Sequence, residues 1–441
     1  MKPVFYLFLI FSFLTGNILA QNKKDIQKNV KALTKVYKYL HQNPELSYLE
    51  KNTAKFLAKK MRSFGFEVTE NFGGTGVVAI LKNGKGPKIL IRTDMDALPI
   101  LEKTGLPYTS KVKQVDIEGV EQPVMHACGH DMHMTIWLGT AQYLSEHKDE
   151  WKGTLMMIAQ PAEERGGGSY AMLQEGLYQK FFVPDYALAL HVNSAQPVGK
   201  ILYSSGYAMA NVDMAQITFK GRGGHGAYPH TTIDPIAMSA QFITDLQNIV
   251  SREISPVEPA VVTVGSIHGG TKGNIIPTEV HLELTIRSYK DETRDHLLKA
   301  IQRKAEAVAM SFGVPKDNFP EFKLKDVYTP ALYNDPELTN KIIKGFKSYF
   351  GNQNISKRTP TMGGEDFSRY GRTKEKVPIF MYYLGVVNQK KYEKYQKEGK
   401  ALPSLHSDKF VLDPKPSIET GISAMTNAVI NLSRNYKNGD N

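Results

Sequence analysis

Short apolar segments, each leading to a carboxylate or a histidine, recur along this chain and constrain its fold more than any other feature. Residues 88–92, 154–160 and 186–190 are such segments, and they lead to Asp94-Met95-Asp96, to Glu163-Glu164 and to His191. Apolar strands that alternate with helices are typical of α/β sheets, and such sheets bind ligands beyond the carboxyl ends of their strands. The sequence therefore predicts an α/β fold with a functional site along one edge of strand ends.

A second constraint is the segment 125–133, Met-His-Ala-Cys-Gly-His-Asp-Met-His, which holds the only cysteine of the chain. Cys128 and His130 are two residues apart, so in an extended segment both side chains project to the same side and can share one cation. A lone cysteine is more often a small buried hydrophobe, but the nearby histidines argue against that alternative. We interpret Cys128 and His130 as metal ligands; a ligand role for His126 or His133 is the weaker hypothesis.

The pattern of apolar residues also predicts how the chain divides into domains. Helical spacing predicts helices over 25–41, 48–64 and 131–147. From residue 206 the order changes to strand, helix, two strands, helix and strand, which is the ferredoxin-like pattern of a separate small domain. We therefore expect an α/β/α catalytic domain with a mostly parallel mixed sheet, formed by residues 21–205 and 328–441, and an inserted ferredoxin-like α+β domain of residues 206–327.

The first 20 residues have the pattern of a secretory signal peptide. They carry a lysine near the start, an apolar run, and Ile18-Leu19-Ala20 ahead of polar Gln21. The run is shorter than the roughly 20 residues of a spanning helix, so we expect cleavage and no stable membrane insertion, with an uncleaved anchor as the alternative. The sequence thus predicts an exported protein, periplasmic or secreted. With one cysteine it forms no internal disulfide, and a metal would mask the thiol in an oxidising compartment.

The formal net charge of +11 permits attraction to anions. The lysines are spread over helices such as 51–60 rather than massed in one run, however, and solvated helix faces explain such a pattern. The sequence therefore does not support nucleic-acid binding.

Bringing the strand ends together gives one candidate cluster of metal ligands from four separated places in the chain: Cys128, His130, Glu164, His191 and His406. Five ligands are too many for one tetrahedral ion. They suit two ions that share a bridging ligand and a water, an arrangement that stabilises both the attacking oxygen and the developing oxyanion in hydrolysis.

Glu163 and Glu164 are adjacent, so they point in different directions from an extended strand end. Glu164 can then bind metal while Glu163 faces the substrate as a general base. Two adjacent acids are otherwise most often a solvated surface pair, but these follow an apolar strand and precede a glycine loop.

These motifs resemble the amidohydrolase branch of the metal-dependent aminoacylase and carboxypeptidase family, which includes hippurate hydrolases, plant auxin-conjugate hydrolases and N-acetyl-diaminopimelate deacetylases. The matching segments run in order through nearly the whole mature chain: 92–99, 125–130, 160–166, His191, 221–230, 274–277, 365–367 and 405–407. The resemblance implies a dinuclear metal catalytic domain, an inserted lid or dimerisation domain, and hydrolysis of an amide next to a free carboxylate.

Residue by residue, the resemblance implies the same five metal ligands and Glu163 as the base. It implies that His225 steadies the oxyanion, in relatives often from the partner subunit; a turn histidine between glycines is the alternative. Asn274 and Arg287 resemble groups that hold the substrate carboxylate, for which a planar guanidinium is well shaped. Arg287 could equally be a surface strand residue.

Other branches of the family place a ligand histidine where Arg92 stands here and use a carboxylate as the bridge. Asp94 is therefore expected to lie behind the ligands rather than to bind metal itself. This departure leaves open whether Cys128 bridges the two ions, and it also leaves open which metal binds. A thiolate with imidazoles and a carboxylate suits Zn²⁺, with Mn²⁺ the next expectation and Co²⁺ or Ni²⁺ as alternatives.

We therefore expect an exported, homodimeric metalloamidohydrolase that binds two divalent ions per chain. Its substrates would be N-acyl amino acids or small dipeptide-like amides. A metallocarboxypeptidase or dipeptidase acting on short peptides needs the same ligands and is the alternative. A catalytically silent protein that binds peptides or metal is a third hypothesis, which the presence of Glu163 and of every ligand disfavours.

Overall fold

The computed structural model describes residues 24–436, apart from the side chains of residues 326 and 327. The predicted signal peptide, residues 1–20, lies outside the described residues. The chain divides into two compact units. The first comprises Met1–Gly206, Tyr333–Thr359 and Arg369–Asn441, and the second comprises Tyr207–Leu332 and Pro360–Ser368. Within the described range, no helix combines the length and the apolar character that a membrane span requires.

An eight-stranded sheet forms the centre of the first unit. Its strands are β1 (Glu67–Glu70), β2 (Val77–Asn83), β3 (Lys88–Asp94), β6 (Gly153–Gln160), β7 (Tyr186–Pro197), β8 (Ile201–Tyr203), β17 (Ile355–Lys357) and β18 (Ile379–Val387). The order across the sheet is β1-β2-β6-β3-β7-β18-β8-β17. The four central strands β6, β3, β7 and β18 run parallel, whereas β1, β2 and β8 pair antiparallel with their neighbours towards the centre of the sheet. The predicted mixed α/β fold with a large, mostly parallel sheet is confirmed.

Helices accompany this sheet, and a short hairpin of β4 (Lys113–Val115) and β5 (Glu121–Pro123) stands apart from it. The helices of the first unit are α1 (24–42), α2 (Lys51–Ser63), α3 (His130–Glu146), α4 (Gly168–Gln174), α5 (Leu177–Lys180), α8 (Pro336–Phe350), α9 (Gln389–Lys397) and α10 (Pro414–Arg434). Every residue of β18 is buried. Continuous burial of this kind follows when both faces of a parallel sheet are covered, because helices then exclude water from each face.

One strand differs from its predicted length. The sequence predicts that the third apolar segment ends at His191, but β7 continues to Pro197. The continuation keeps its backbone pairing with β18, whose Val387 faces Pro197 across a local irregularity. The prediction that this strand ends at its histidine is therefore wrong, although the histidine still lies at the carboxyl end of the apolar part.

The second unit contains a four-stranded antiparallel sheet of β10 (Val212–Lys220), β12 (Ala260–His268), β14 (Glu279–Ser288) and β15 (Glu321–Thr329), in the order β12-β14-β10-β15. Two helices, α6 (Pro235–Asn248) and α7 (Asp291–Ser311), bury apolar residues in one core with this sheet. A further ladder of this unit consists of β11 (Gly224–His225) with β13 (Ile275–Ile276). The strands β9 (Gly206–Met209) and β16 (Leu332–Asn334) lie at the two ends of the segment Tyr207–Leu332.

The second unit also includes Pro360–Ser368, which the predicted boundaries at 206 and 327 leave outside the inserted domain. This segment joins the unit because the backbone N–H of Ala210 donates to the carbonyl oxygens of Thr361 and Gly363, at 3.1 and 2.9 Å. The predicted lid or dimerisation role of residues 206–327 stays a prediction.

A buried imidazole at the end of α1 ties this helix to the start of α3. His41 Nδ1 lies 2.7 Å from a carboxylate oxygen of Asp131, and its Nε2 lies 3.1 Å from one of Glu102. Burial alone would lower the pKa of His41, but the hydrogen bonds to Asp131 and Glu102 outweigh it and raise the pKa to about 9. His41 is therefore a buried imidazolium between two carboxylates at neutral pH.

This arrangement predicts a pH-dependent contribution to stability. Because the pKa of His41 is raised from the ordinary 6.5 to about 9 on folding, its contribution is complete below the ordinary value and is lost as the pH rises through the folded one. We expect the free energy of unfolding of the parent, minus that of His41→Gln, to fall by roughly 2–3 kcal/mol between about pH 6.5 and about pH 9.5. Urea unfolding of both proteins measures this difference; a difference that does not change with pH would contradict a charged His41.

Candidate metal centre

The five predicted metal ligands all lie in the first unit, where strand ends and loops bring them together. The ligand atoms of Cys128, His130 and His191 lie within 4.8 Å of one another, and so do those of Cys128, Glu164 and His406. Cys128 belongs to both groups. The thiol is thus common to these two sets of ligand atoms, and His130 also belongs to two further sets, one with Asp94 and His133 and one with Glu163 and Glu164.

A sharp turn, rather than an extended segment, places Cys128 and His130 side by side. His130 is the first residue of α3, and Gly129 before it has a φ of 83°, a left-handed conformation that residues with a side chain rarely adopt. A Cβ at this position would lie 2.6 Å from Cγ2 of Val192. The expectation of an extended segment is wrong, and the two side chains meet because Gly129 permits both the turn and the close approach of Val192.

Hydrogen bonds hold both ligand imidazoles in the same tautomer. His130 Nδ1 lies 2.8 Å from the carbonyl oxygen of Asp96, and His191 Nδ1 lies 2.8 Å from that of Val192. A carbonyl oxygen only accepts, so each Nδ1 carries a proton, and a cation at the site would take the Nε2 atom of each ring. His191 Nε2 points at the Cys128 sulfur, 3.5 Å away. Both rings are therefore oriented to bind a cation.

The Asp96 carboxylate fixes the acidic side of the site. Its two oxygens accept from the backbone N–H groups of Glu163 and Glu164, at 3.1 and 3.0 Å. One of them also accepts from the hydroxyl of Ser47 at 2.6 Å. Sequence reasoning singled out the segment that holds Asp96 but gave this residue no role. The signal was its spacing two residues from Asp94, which in an extended segment puts both carboxylates on one side.

Asp94 lies behind the ligands, as expected, in a fully buried network. It accepts from Arg92 at 2.7 Å and from His133 Nδ1 at 2.7 Å. Burial would raise the pKa of Asp94, but His130, His133 and Arg92 hold it well below its ordinary value. His133 Nε2 in turn accepts from the backbone N–H of Val192 at 2.9 Å, so both nitrogens of His133 are engaged and neither offers a lone pair to an ion.

His126 is buried, and within the described range neither of its ring nitrogens has a hydrogen-bond partner. Burial lowers its pKa to about 4, so the ring is neutral. Among the residues that the structure describes, no group of metal-ligand atoms includes His126. A direct ligand role for His126 therefore finds no geometric support. The ligand atoms of Asp94, His130 and His133 do lie within 4.8 Å of one another, so a ligand role for His133 stays the weaker hypothesis, because both of its nitrogens are already hydrogen-bonded.

The histidine at position 406 lies in the loop between α9 and α10. Its side chain is half exposed, and its Nε2 lies 3.5 Å from Glu164 Oε2. The backbone N–H of His406 donates to the carbonyl oxygen of Ala127 at 2.9 Å. This bond ties the loop to the segment that carries Cys128, so His406 is held beside the site although it comes from a distant part of the chain.

The charges of the site suit a divalent cation. Burial raises the pKa of the Cys128 thiol, and Glu164 and Glu163 raise it further. Burial also raises the pKa of Glu164, which stands at about 7 although His130 lowers it. Both shifts mark a buried surplus of negative charge, which costs free energy until a cation offsets it.

The donor atoms give a second indication that a cation fits. In the part of the chain that the structure describes, His130 Nε2 and Glu164 Oε1 are buried and have no hydrogen-bond partner. Buried polar atoms of native proteins nearly always have one. A thiol, three imidazoles and a carboxylate are also the donor types that divalent transition metals prefer.

The remaining predicted residues, His225, Asn274 and Arg287, all lie in the second unit. His225 and Asn274 are exposed, and they sit on one small ladder, because His225 pairs with Ile275 and the N–H of Gly226 donates to the carbonyl oxygen of Asn274 at 2.8 Å. Arg287 lies on β14 and donates to the carbonyl oxygen of Met362 at 2.8 Å. The structure thus brings His225 and Asn274 together within their unit.

Comparison with known proteins gives matches over most of the chain. The profile described as Peptidase family M20/M25/M40 matches residues 90–399. Thermostable carboxypeptidase 1 of Saccharolobus solfataricus is 36% identical over 401 residues, which cover 90% of this chain and 94% of that protein. Hippurate hydrolase of Campylobacter jejuni is 38% identical over 350 residues, which cover 79% and 87%.

Solved structures agree with these matches. An aminohydrolase from methicillin resistant Staphylococcus aureus is 32% identical, with a TM-score of 0.81 over 94% of this chain and 99% of that chain. A structure from Bacillus subtilis, described as a dinuclear metal binding peptidase from the M20 family, is 30% identical, with a TM-score of 0.73 over 93% and 99%. The likeness in sequence and in fold therefore extends over most of the chain.

Because the Asp96 carboxylate accepts hydrogen bonds from the backbone N–H groups of Glu163 and Glu164, we predict that Asp96→Asn weakens metal binding with little change in fold. An amide replaces one of the two acceptor oxygens by an NH₂ group, which would face a backbone N–H and repel it. We expect metal affinity to fall about tenfold to a hundredfold, as for other residues that orient ligands. Titration with Zn²⁺ measures the affinity, and Asp149→Asn, at an exposed position between α3 and β6, is the control. Equal affinities of Asp96→Asn and the parent would contradict the role of Asp96.

Proposed function

Because this chain belongs to peptidase family M20/M25/M40, we propose that it hydrolyses the amide bond of N-acyl amino acids or small dipeptide-like substrates. The family resemblance of the motifs is confirmed, and the chain is a metal-dependent amidohydrolase or metallopeptidase. The observation that carries the finer proposal is the pair of overlapping ligand groups that share Cys128, with the carboxylate of Glu163 beside them.

We propose that two divalent ions bind per chain, one held by Cys128, His130 and His191 and the other by Cys128, Glu164 and His406. Bound there, the ions would supply Lewis-acid stabilisation of the negative charge that develops on the amide oxygen. The donor set favours Zn²⁺, with Mn²⁺ next and Co²⁺ or Ni²⁺ as alternatives. The place of Cys128 in both groups supports its role as the shared ligand.

In this proposal Glu163 is the general base. Its side chain is 11% exposed and its Oε2 lies 3.9 Å from His130 Nε2, so it reaches the edge of the ligand cluster. Asp96 fixes its backbone, and Glu164 supplies the carboxylate that a cation needs. Glu163 would accept the proton of the attacking water and deliver it to the leaving nitrogen, which is the work of a general acid and base.

We propose that the second unit supplies groups for the transition state and for the substrate carboxylate. His225 Nδ1 accepts from the backbone N–H of Ala227 at 3.0 Å, so Nε2 carries the proton and can donate to an oxyanion. Asn274 and Arg287 would hold the free carboxylate. As the family resemblance implies, His225 would act from the partner subunit of a homodimer. We also propose export, on the pattern of residues 1–20.

A second candidate function is carboxypeptidase or dipeptidase activity on short peptides. A specific observation favours it, because a relative named as a thermostable carboxypeptidase matches 90% of this chain. The two functions use the same ligands and the same base. Metal-reconstituted protein assayed on a panel of N-acyl amino acids and of dipeptides distinguishes them by the ratio of kcat/KM between the two classes.

We predict that Glu163→Gln lowers kcat by about a hundredfold to ten-thousandfold, the usual contribution of general acid–base catalysis. The amide keeps the shape of the side chain and removes its basicity, so metal content should equal that of the parent. Steady-state kinetics with elemental analysis measures both quantities, and Glu67→Gln on an exposed strand is the matched control. Near-normal turnover of Glu163→Gln would mean that another group takes the proton.

For the substrate carboxylate we predict that Arg287→Ala lowers kcat/KM for N-acyl amino acids by about tenfold to a hundredfold, the worth of a hydrogen bond to a charged group. The corresponding N-acyl amino acid amides lack the charge and should change far less. Arg252→Ala, an exposed arginine of the same unit, is the control. If both substrate classes lose activity equally, Arg287 does not recognise the carboxylate.

A further inference from the structure

The two helices α1 and α2 carry most of the net charge of the chain. Residues 24–42 hold five lysines and one aspartate, and Lys51–Ser63 holds four lysines, one arginine and no acidic residue. The two helices therefore have a net charge of +9, against +11 for the whole chain. Nearly all the surplus positive charge therefore lies on 32 of the 441 residues. Within these two helices, no more than two lysines are adjacent in the sequence.

Four of the ten cations of these helices line one surface groove between them, which we call the basic groove. Its lining contains four lysines, Lys28, Lys31, Lys35 and Lys60, with Val36 and Phe56 among them. Tyr39 also lines it, is 44% exposed, and has its ring centre 4.7 Å from that of Phe56. The groove thus has aromatic and apolar residues between charged ends of long side chains.

Internal ion pairs neutralise little of this charge. Lys28 lies 2.5 Å from Asp25, and its side chain stays 71% exposed. In residues 24–436, no carboxylate lies within ion-pair distance of Lys31, Lys35 or Lys60. The interpretation of these lysines as an ordinary solvated face omits that two helices direct them to one groove. Their positive charges repel one another there, and binding of an anionic surface would reduce that repulsion.

We propose that the basic groove and its surroundings dock on the surface of a membrane that contains anionic phospholipids. Several cations spread over two helices match an extended anionic surface better than a single small anion. Each lysine near such a surface strengthens binding by about fivefold. The aromatic side chains favour a bilayer over a soluble polyanion, because aromatic rings partition into the interface between headgroups and acyl chains. Lysine stems can lie along that interface while their ammonium groups contact phosphates.

The place of the groove in the chain supports the same occupant. The apolar segment ends at residue 20, and α1 begins at residue 24, with Lys23 between them. A chain emerging from a membrane at its apolar segment would therefore present α1 to the headgroups first.

The test uses the processed chain from Gln21, which contains every described residue, mixed with vesicles and sedimented. One set of vesicles is phosphatidylcholine alone and the other contains phosphatidylglycerol. We expect binding to the anionic vesicles only, reversed by high salt. Changing Lys28, Lys31, Lys35 and Lys60 together to Gln should lower the partition coefficient by about a hundredfold or more, given the contribution of each lysine. Activity on an N-acyl amino acid reports that the variant is folded.

The matched control changes four lysines of α8 and α9 to Gln: Lys344, Lys347, Lys390 and Lys397. These are exposed and lie on the same unit, so the net charge falls equally, and the control should bind anionic vesicles nearly as the parent does. Three results would overturn the proposal: equal binding of the parent to neutral vesicles, an equal loss in the control, or capture by soluble polyphosphate without binding to anionic vesicles.

Discussion

The metal centre depends on the buried carboxyl end of one central strand. Asp94 ends β3 and Asp96 follows it, and between them they contact groups from three other segments. Asp96 holds the backbone of Glu163 and Glu164 with its carboxylate and the ring of His130 with its carbonyl oxygen. His130, His133, Glu163 and Glu164 all make hydrogen bonds to Asp94 or Asp96. Their positions are therefore set by the carboxyl end of β3 rather than by flexible loops.

The burial of this strand end also explains the pKa shifts of the acids and of the thiol around it. Burial and neighbouring acids raise the pKa of the Cys128 thiol and of Glu164, whereas His130, His133 and Arg92 lower the pKa of Asp94. Such a cluster is costly in a folded protein unless cations complete it. The fold therefore holds an arrangement that is complementary to divalent ions, and the hydrogen bonds of His130 Nδ1 and His191 Nδ1 direct both Nε2 atoms to the same place.

Much of this could be predicted from the sequence, because apolar strands followed by acids or histidines specify both the sheet and its functional edge. This pattern predicts Glu163, Glu164 and His191 as candidate residues, and the spacing of Cys128 and His130 predicts those two as ligands. What could not be predicted depends on contacts between distant segments. The role of Asp96 depends on Glu163, which is distant in the sequence but donates its N–H to Asp96. The strand β7 continues past His191 because β18 pairs with it there. The basic groove exists because α1 and α2 pack together.

The account rests on Cys128 as the residue shared by two ion sites, and anomalous diffraction from crystals of the zinc-loaded protein tests it most directly. The account predicts two anomalous peaks, both in contact with the Cys128 sulfur, one also touching His130 and His191 and the other Glu164 and His406. A single peak, or two peaks that leave Cys128 uncoordinated, would contradict it.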